Sequence, residues 1–156
     1  MAVKALSRLY STTQLIDHSL SAYSAGDQLG SKFSIAVHNT PGRGIFLHEV
    51  RVVDPEPQGA TGGIRFHFFK ADFTAPADNA AWVIASDADA ANYMGSCENA
   101  NTDYTDFTTS KWDSIDVSRA LYLSGNILYI SCVAVEAFDS TAASKVAFQL
   151  VYERLV

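Results

Sequence analysis

Nowhere does this 156-residue sequence stay apolar for the roughly 20 residues that a helix needs to cross a bilayer. Its first residues, MAVKALSRLYSTTQ, lack the continuous apolar segment of a secretory signal. No Asn-x-Ser/Thr acceptor occurs; Asn39-Thr40-Pro41 is the near miss. The expectation is a complete product made in the cytoplasm. Cysteine is scarce: Cys97 and Cys132 are the two in the chain, far apart, and a reduced pair is expected. Cys132 falls inside an apolar strand and Cys97 in what reads as a polar loop. There is no Gly-x-Ser-x-Gly, no P-loop and no Gly-x-Gly-x-x-Gly after a strand. The strand carboxylates Glu49, Glu136 and Glu153 are isolated, so no paired acid and base stand out. The sequence therefore points away from an enzyme, with no catalytic residue and no cofactor to name.

Charge is also sparse, at 18% of residues, and unevenly placed. Residues 71–116 hold nine acids against one base, Lys111, a local net charge of −8 within a total of −6. The rest of the chain is near neutral. That balance excludes a direct nucleic-acid binder, which needs Lys and Arg facing phosphate. Lys4 and Arg8, with no acid among the first sixteen residues, form a short basic arm that fits an acidic partner or merely frays.

What the sequence does have is 48% hydrophobic and 12% aromatic residues, enough for one packed domain without a disulfide or metal. The pattern is alternation. Ile127 to Phe138 is apolar on both faces, as a central strand covered above and below must be. Val146, Phe148, Leu150 and Tyr152 alternate with Lys145, Gln149 and Glu153, a strand with one buried face. Ile115, Val117, Leu121 and Leu123 precede them. Earlier strands are expected over Thr13–Tyr23, Phe33–His38, Ile45–Asp54 and Ile64–Asp72. In Ile45–Asp54 strict alternation puts Phe46, His48, Val50 and Val52 on one face. Residues 1–12 read as an extended arm or weak edge strand, and 13–156 as a single domain with an acidic excursion at 73–113. About eight strands, with no βαβ alternation, imply an all-β, antiparallel two-sheet sandwich, jelly-roll-like or Greek key. A lipocalin-type closed barrel is the second choice.

The excursion carries most of the functional candidates. Trp82-Val83-Ile84 reads as a short strand. Ser86-Asp87-Ala88-Asp89 reads as a capped helix start, continuing through Tyr93 and Met94 to a stop at Gly95. Asp87, Asp89, Asp103 and Asp106 offer calcium-type oxygens, but helix capping accounts for the first pair and the EF-hand glycine and glutamate are missing. His38, His48 and His67 lie on consecutive strands without a carboxylate or thiol at ligand spacing. They and His18 are expected to be ordinary surface or half-buried histidines, and no metal is expected. Trp82, Tyr93, Tyr104, Phe107 and Trp112 crowd the same stretch. They would form a satellite core, anchor a protein interface, or stack on a sugar.

The layout resembles that of the small all-β virion proteins encoded among the structural genes of tailed bacteriophages. The resemblance covers residues 13–155 and rests on Tyr23-Ser24-Ala25-Gly26-Asp27-Gln28-Leu29-Gly30, on Gly42-Arg43-Gly44-Ile45 leading to Asp54, and on the aromatic pair Phe68-Phe69. A Pro/Asp-rich stretch, Ser86 to Gly95 and a terminal apolar hairpin complete it. It implies a virion structural protein, a capsid decoration (cement) or other head-associated protein. Its partners would be the major capsid protein and its own copies, often as trimers, with no membrane or nucleic acid. Lys4, Arg8, Trp82, Tyr93, Tyr104, Phe107 and Trp112 are the candidate interface residues. Low charge at Ala36, Phe69, Ala147 and Val151 implies apolar outer faces for subunit contact. The alternative is a carbohydrate-binding or receptor-contacting module using the aromatics of residues 82–112.

Overall fold

The computed structural model describes residues 8–55, 62–107, 110–139 and 145–155. Lys4 and the rest of residues 1–7 lie outside them, as do parts of the loops after Pro55, after Phe107 and after Asp139. In chain order the elements are β1 (Leu9–Leu15), β2 (Ala22–Tyr23), β3 (Phe33–Ala36), β4 (Gly44–Asp54) and β5 (Ile64–Phe69). A single-turn helix α1 (Asp87–Ala90) follows, then β6 (Tyr93–Glu98), a 3₁₀ turn (Asn101–Asp103) and β7 (Thr105–Asp106). The chain ends with β8 (Lys111–Tyr122), β9 (Ile127–Ala134), β10 (Phe138–Asp139) and β11 (Ala147–Arg154).

Two antiparallel sheets form the body, ordered β1-β11-β4-β8-β7 and β3-β9-β5-β6, with a small β10-β2 ribbon at one end. The eight principal strands nest. The innermost hairpin is β5-β6, then β4 pairs with β8, β3 with β9, and β1 with β11. Rolling that long hairpin on itself adds the β11-β4 and β9-β5 contacts. This is the connectivity of a jelly roll, so the chain is an antiparallel two-sheet β-sandwich. Phe66, Phe68, Leu128, Ile130 and Cys132 of one sheet meet Ile45, Leu47, Val50, Val52, Phe148 and Leu150 of the other, all fully buried. Phe148 sets its ring edge-on to Phe33 at 4.9 Å and tilted against Phe66 at 5.2 Å.

Strict alternation fails in β4, and the reason is a bulge that widens strand by strand. Between the pairs on either side of it, β11 has no extra residue (Val151, Tyr152), β4 has His48, and β8 has Val117 and Ser118. Ser118 accommodates this at φ 43°, a left-handed conformation rare for a residue with a Cβ. Inward positions in β4 therefore switch from Ile45 and Leu47 to Val50 and Val52, and His48 and Phe46 do not join that core face.

The helix expected from Ser86 to Gly95 is one turn long. Ser86 caps it, its hydroxyl accepting from the Asp89 amide at 3.1 Å. Tyr93–Glu98 is the edge strand β6 instead, paired with β5. Gly95 does not stop a helix. It sits in that strand at φ 113°, and a Cβ there would lie 2.3 Å from a guanidinium nitrogen of Arg119. The glycine lets Arg119, from the opposite sheet, close over β6. Trp82-Val83-Ile84 is not a strand; only Ala81 makes an isolated bridge, to Asp27.

Cys97 is on β6 and not in a loop. Phe66 pairs with Cys97 on one side and with Cys132 on the other. Two strand spacings, about 10 Å, separate the thiols' backbones, beyond the ~7 Å a disulfide spans. Both cysteines are free.

Candidate interaction surfaces

The outer face of the β3-β9-β5-β6 sheet is partly covered by the chain itself. Residues 27–29 pair edge to edge with β9 beyond β3, residues 79–82 pair with them in turn, and the Trp82 side chain folds back over the face. Leu29 N–H donates to Cys132 O, Ala134 N–H to Asp27 O, Gln28 N–H to Ala80 O and Trp82 N–H to Gly26 O, each at 2.8–2.9 Å. A buried polar chain runs beneath: Trp82 Nε1–H donates to Ser131 Oγ (2.9 Å), Ser131 to Gln28 Oε1 (2.5 Å), and Gln28 Nε2 to Gly30 O (3.1 Å). Asp78 pins the same strap, accepting from the Gly30 amide (2.7 Å), the Tyr23 hydroxyl (2.9 Å) and the Ser19 amide (3.2 Å). Burial pushes its carboxyl pKa up, but these donors outweigh it and hold it below the usual range.

Trp82 and Tyr93 belong to this cover. The Trp82 indole stacks on the imidazole of His67, and the Tyr93 hydroxyl lies 3.2 Å from His67 Nδ1. His67 is buried, its Nε2 has no hydrogen-bond partner, and desolvation first, then Arg65, lowers its pKa to about 4. His18 is not at the surface either: it is 1% exposed, and burial lowers its pKa. His38 bonds the chain end through Leu155 O at 3.1 Å, and His48 Nε2 lies 3.3 Å from Glu153 Oε1. The sequence left the histidines without a role; what it missed is that Trp82, His67 and Ser131 form one closed unit, since their distance along the chain hides it.

The five aromatics do not converge. Trp82 and Tyr93 sit on one sheet. Tyr104 packs against the central core, and burial pushes its hydroxyl pKa up. Phe107 and Trp112 lie at the β7–β8 edge of the other sheet, 59% and 37% exposed. Arg8 is exposed and its guanidinium lies 5.5 Å from the Tyr10 ring centre. Of the acids, Asp103 caps the Ala100 amide and Asp106 pairs with Lys111, while Asp87 and Asp89 sit on α1. Among the described residues no group of three His, Cys, Asp or Glu side chains converges on a metal-sized site. A shallow cleft of about 550 Å³ lies between Lys32, Asp72, Phe73 and Asp78, open to solvent and with Lys32 paired to Asp72.

The outer face of the five-stranded sheet is different, because few of the described residues cover it. Register lines up Leu15, Ala147, Val53 and Trp112 in one row across β1, β11, β4 and β8. Leu15 is 62% exposed. The next row is polar and connected: Gln149 Nε2 donates to Thr13 Oγ1, Arg51 to Gln149 Oε1 and to Glu49, and Ser114 to Glu49. The Ser114 hydroxyl, and then Arg51, hold Glu49 below the usual carboxylate range. Of the four positions expected to be bare, Ala36 is exposed and Ala147 half-buried, but Phe69 and Val151 are buried. Phe69 is covered by Phe73, stacked at 3.8 Å, and by Tyr93.

No helix among the described residues is long and apolar enough to cross a membrane, which says nothing of a β-barrel. No protein-family model matches this sequence, and a search of curated proteins finds no match. Among solved structures, similar chains come from virus structures. A chain of the Israel acute paralysis virus pentamer is 11% identical, with 96% of this chain and 89% of that one covered and a TM-score of 0.35. A chain of tobacco necrosis virus is 13% identical over 96% and 95%, TM-score 0.32. A chain of the nora virus structure is 9% identical over 96% and 56%, TM-score 0.33.

Proposed function

We propose that this chain is a virion structural protein, a capsid decoration (cement) or other head-associated component of a tailed phage, that works by binding other proteins. The observation that carries the reading is the apolar row Leu15, Ala147, Val53 and Trp112 beside the ordered polar row Thr13, Gln149, Arg51 and Ser114, which Glu49 of the following row braces. A flat, stiff sheet face with an apolar line and a preformed hydrogen-bond line suits a protein surface and offers no enclosure for a small substrate. The virion setting comes from the resemblance in layout, and jelly rolls occur in capsid domains. The major capsid protein is the partner this reading names.

Jelly rolls also occur in lectins, so sugar binding is the second reading. The use of Trp82 in the strap and of Tyr104 in the core works against it, because that leaves Phe107 and Trp112 as the exposed pair for a glycan to stack on. Co-sedimentation with capsid shells lacking the protein tests both. Saturable binding to shells, with no tryptophan fluorescence change on adding glycans, is expected; glycan-dependent quenching without shell binding would reverse the choice.

A further inference from the structure

β1 ends the five-stranded sheet, and among the described residues no strand pairs with its outer edge. Natural edge strands are usually guarded by a charge, a proline, a bulge or a very short length. Leu9–Leu15, LYSTTQL, has none of these, and it runs seven residues in unbroken register with β11. The Ile16 amide donates to Val146 O, so even-numbered residues direct their backbone groups at β11. The N–H and C=O groups of Leu9, Ser11, Thr13 and Leu15 therefore point outward. The side chains of these same four residues lie on the solvent face of the sheet, with Leu9 59% exposed and Leu15 62% exposed.

The strand is also complementary to its own reverse. Turned about a twofold axis through Thr12, Leu9 meets Leu15, Ser11 meets Thr13, and Tyr10 meets Gln14. Each outward backbone pair then meets another outward pair, giving about eight new hydrogen bonds. Leucine meets leucine and hydroxyl meets hydroxyl, both favourable cross-strand pairs. No charge opposes another.

We propose that two copies of this chain join through β1, antiparallel and centred on Thr12, making one continuous ten-stranded sheet. This goes beyond the virion reading and stands on β1 alone. Its occupant is a second copy of the same chain, because the side-chain order fits its own reverse.

Size-exclusion chromatography with light scattering on the full chain tests it, with circular dichroism to confirm folding. The wild type is expected at twice the chain mass of 16.9 kDa. In the double variant S11K/T13K every lysine faces a lysine of the other copy, and the mass should halve. In S11K/T13E each lysine faces a glutamate, and the dimer should persist and weaken with salt. A wild-type monomer or trimer would overturn the proposal. So would loss of the dimer in both variants, which would show a general effect of charge and not this register.

Discussion

The Trp82 indole lies flat on the His67 imidazole, ring centres 3.8 Å apart and planes 7° from parallel. That one contact joins the strap to the sheet. It buries the histidine, and the indole N–H reaches past it to Ser131. Trp82→Ala would remove the stack, the cover and the indole donor to the buried Ser131 hydroxyl. A loss of about 3 kcal/mol is expected by urea denaturation, toward the low end for a large aromatic because Trp82 is only half-buried. Trp112→Ala, at an exposed edge, should cost under about 1 kcal/mol.

His67 gives the stability a pH dependence of fixed sign. Its folded pKa, about 4, lies below the unfolded value of 6.5. Above 6.5 both states are neutral and His67 adds no slope. As pH falls from 6.5 to 4 the unfolded chain takes up the proton and the native chain does not, so stability drops, by about 3 kcal/mol in all. His18, also shifted down, adds to the same slope. Denaturation midpoints from pH 7.5 to 4 should show it, and His67→Phe should flatten the His67 part. An unchanged slope in that variant would place the histidine in water.

Gly63 is held against the backbone just past the end of β6: a Cβ would stand 2.1 Å from Asn99 O. Gly63→Ala should cost more than about 3 kcal/mol or prevent folding, since backbone has nowhere to move. Gly125→Ala, with nothing within 4 Å, should change the melting temperature little.

Cys132 is buried and Cys97 half-buried. Burial pushes Cys97 up to about 12 and raises Cys132 further from reactivity. Neither should react with a thiol reagent at pH 8 until urea unfolds the chain, and a reductant should leave the melting temperature unchanged. Fast labelling of native Cys97 would mean that β6 opens.

Much of this architecture was legible in the pattern of residues. The apolar run expected over Ile127 to Phe138 is the interior strand β9 as far as Ala134, with Phe138 in β10, and the alternation of Val146 to Tyr152 is the one-sided β11. The failures share a cause: contacts distant in sequence overrode local pattern. The His48 bulge is set by β8 and flips half of β4. Tyr93 to Gly95 reads as a helix end, with Cys97 and Glu98 in a loop beyond it, yet Tyr93–Glu98 pairs with β5 as a strand. Phe69 looks bare by alternation until Phe73 covers it, and Val151 is buried although it keeps its outward place in β11. The candidate surface was harder still. Val53 and Trp112 are 59 residues apart in the chain, and the row they form with Leu15 and Ala147 exists only once four strands are in register.

The central claim is that the outer face of the five-stranded sheet is where this protein holds its partner. The direct measurement is shell binding by the double variant V53D/W112D, against wild type, with circular dichroism and melting temperature to show that the sandwich stays folded. Binding at least tenfold weaker, with the fold intact, is the expected result. Unchanged binding would contradict the claim and put the contact elsewhere.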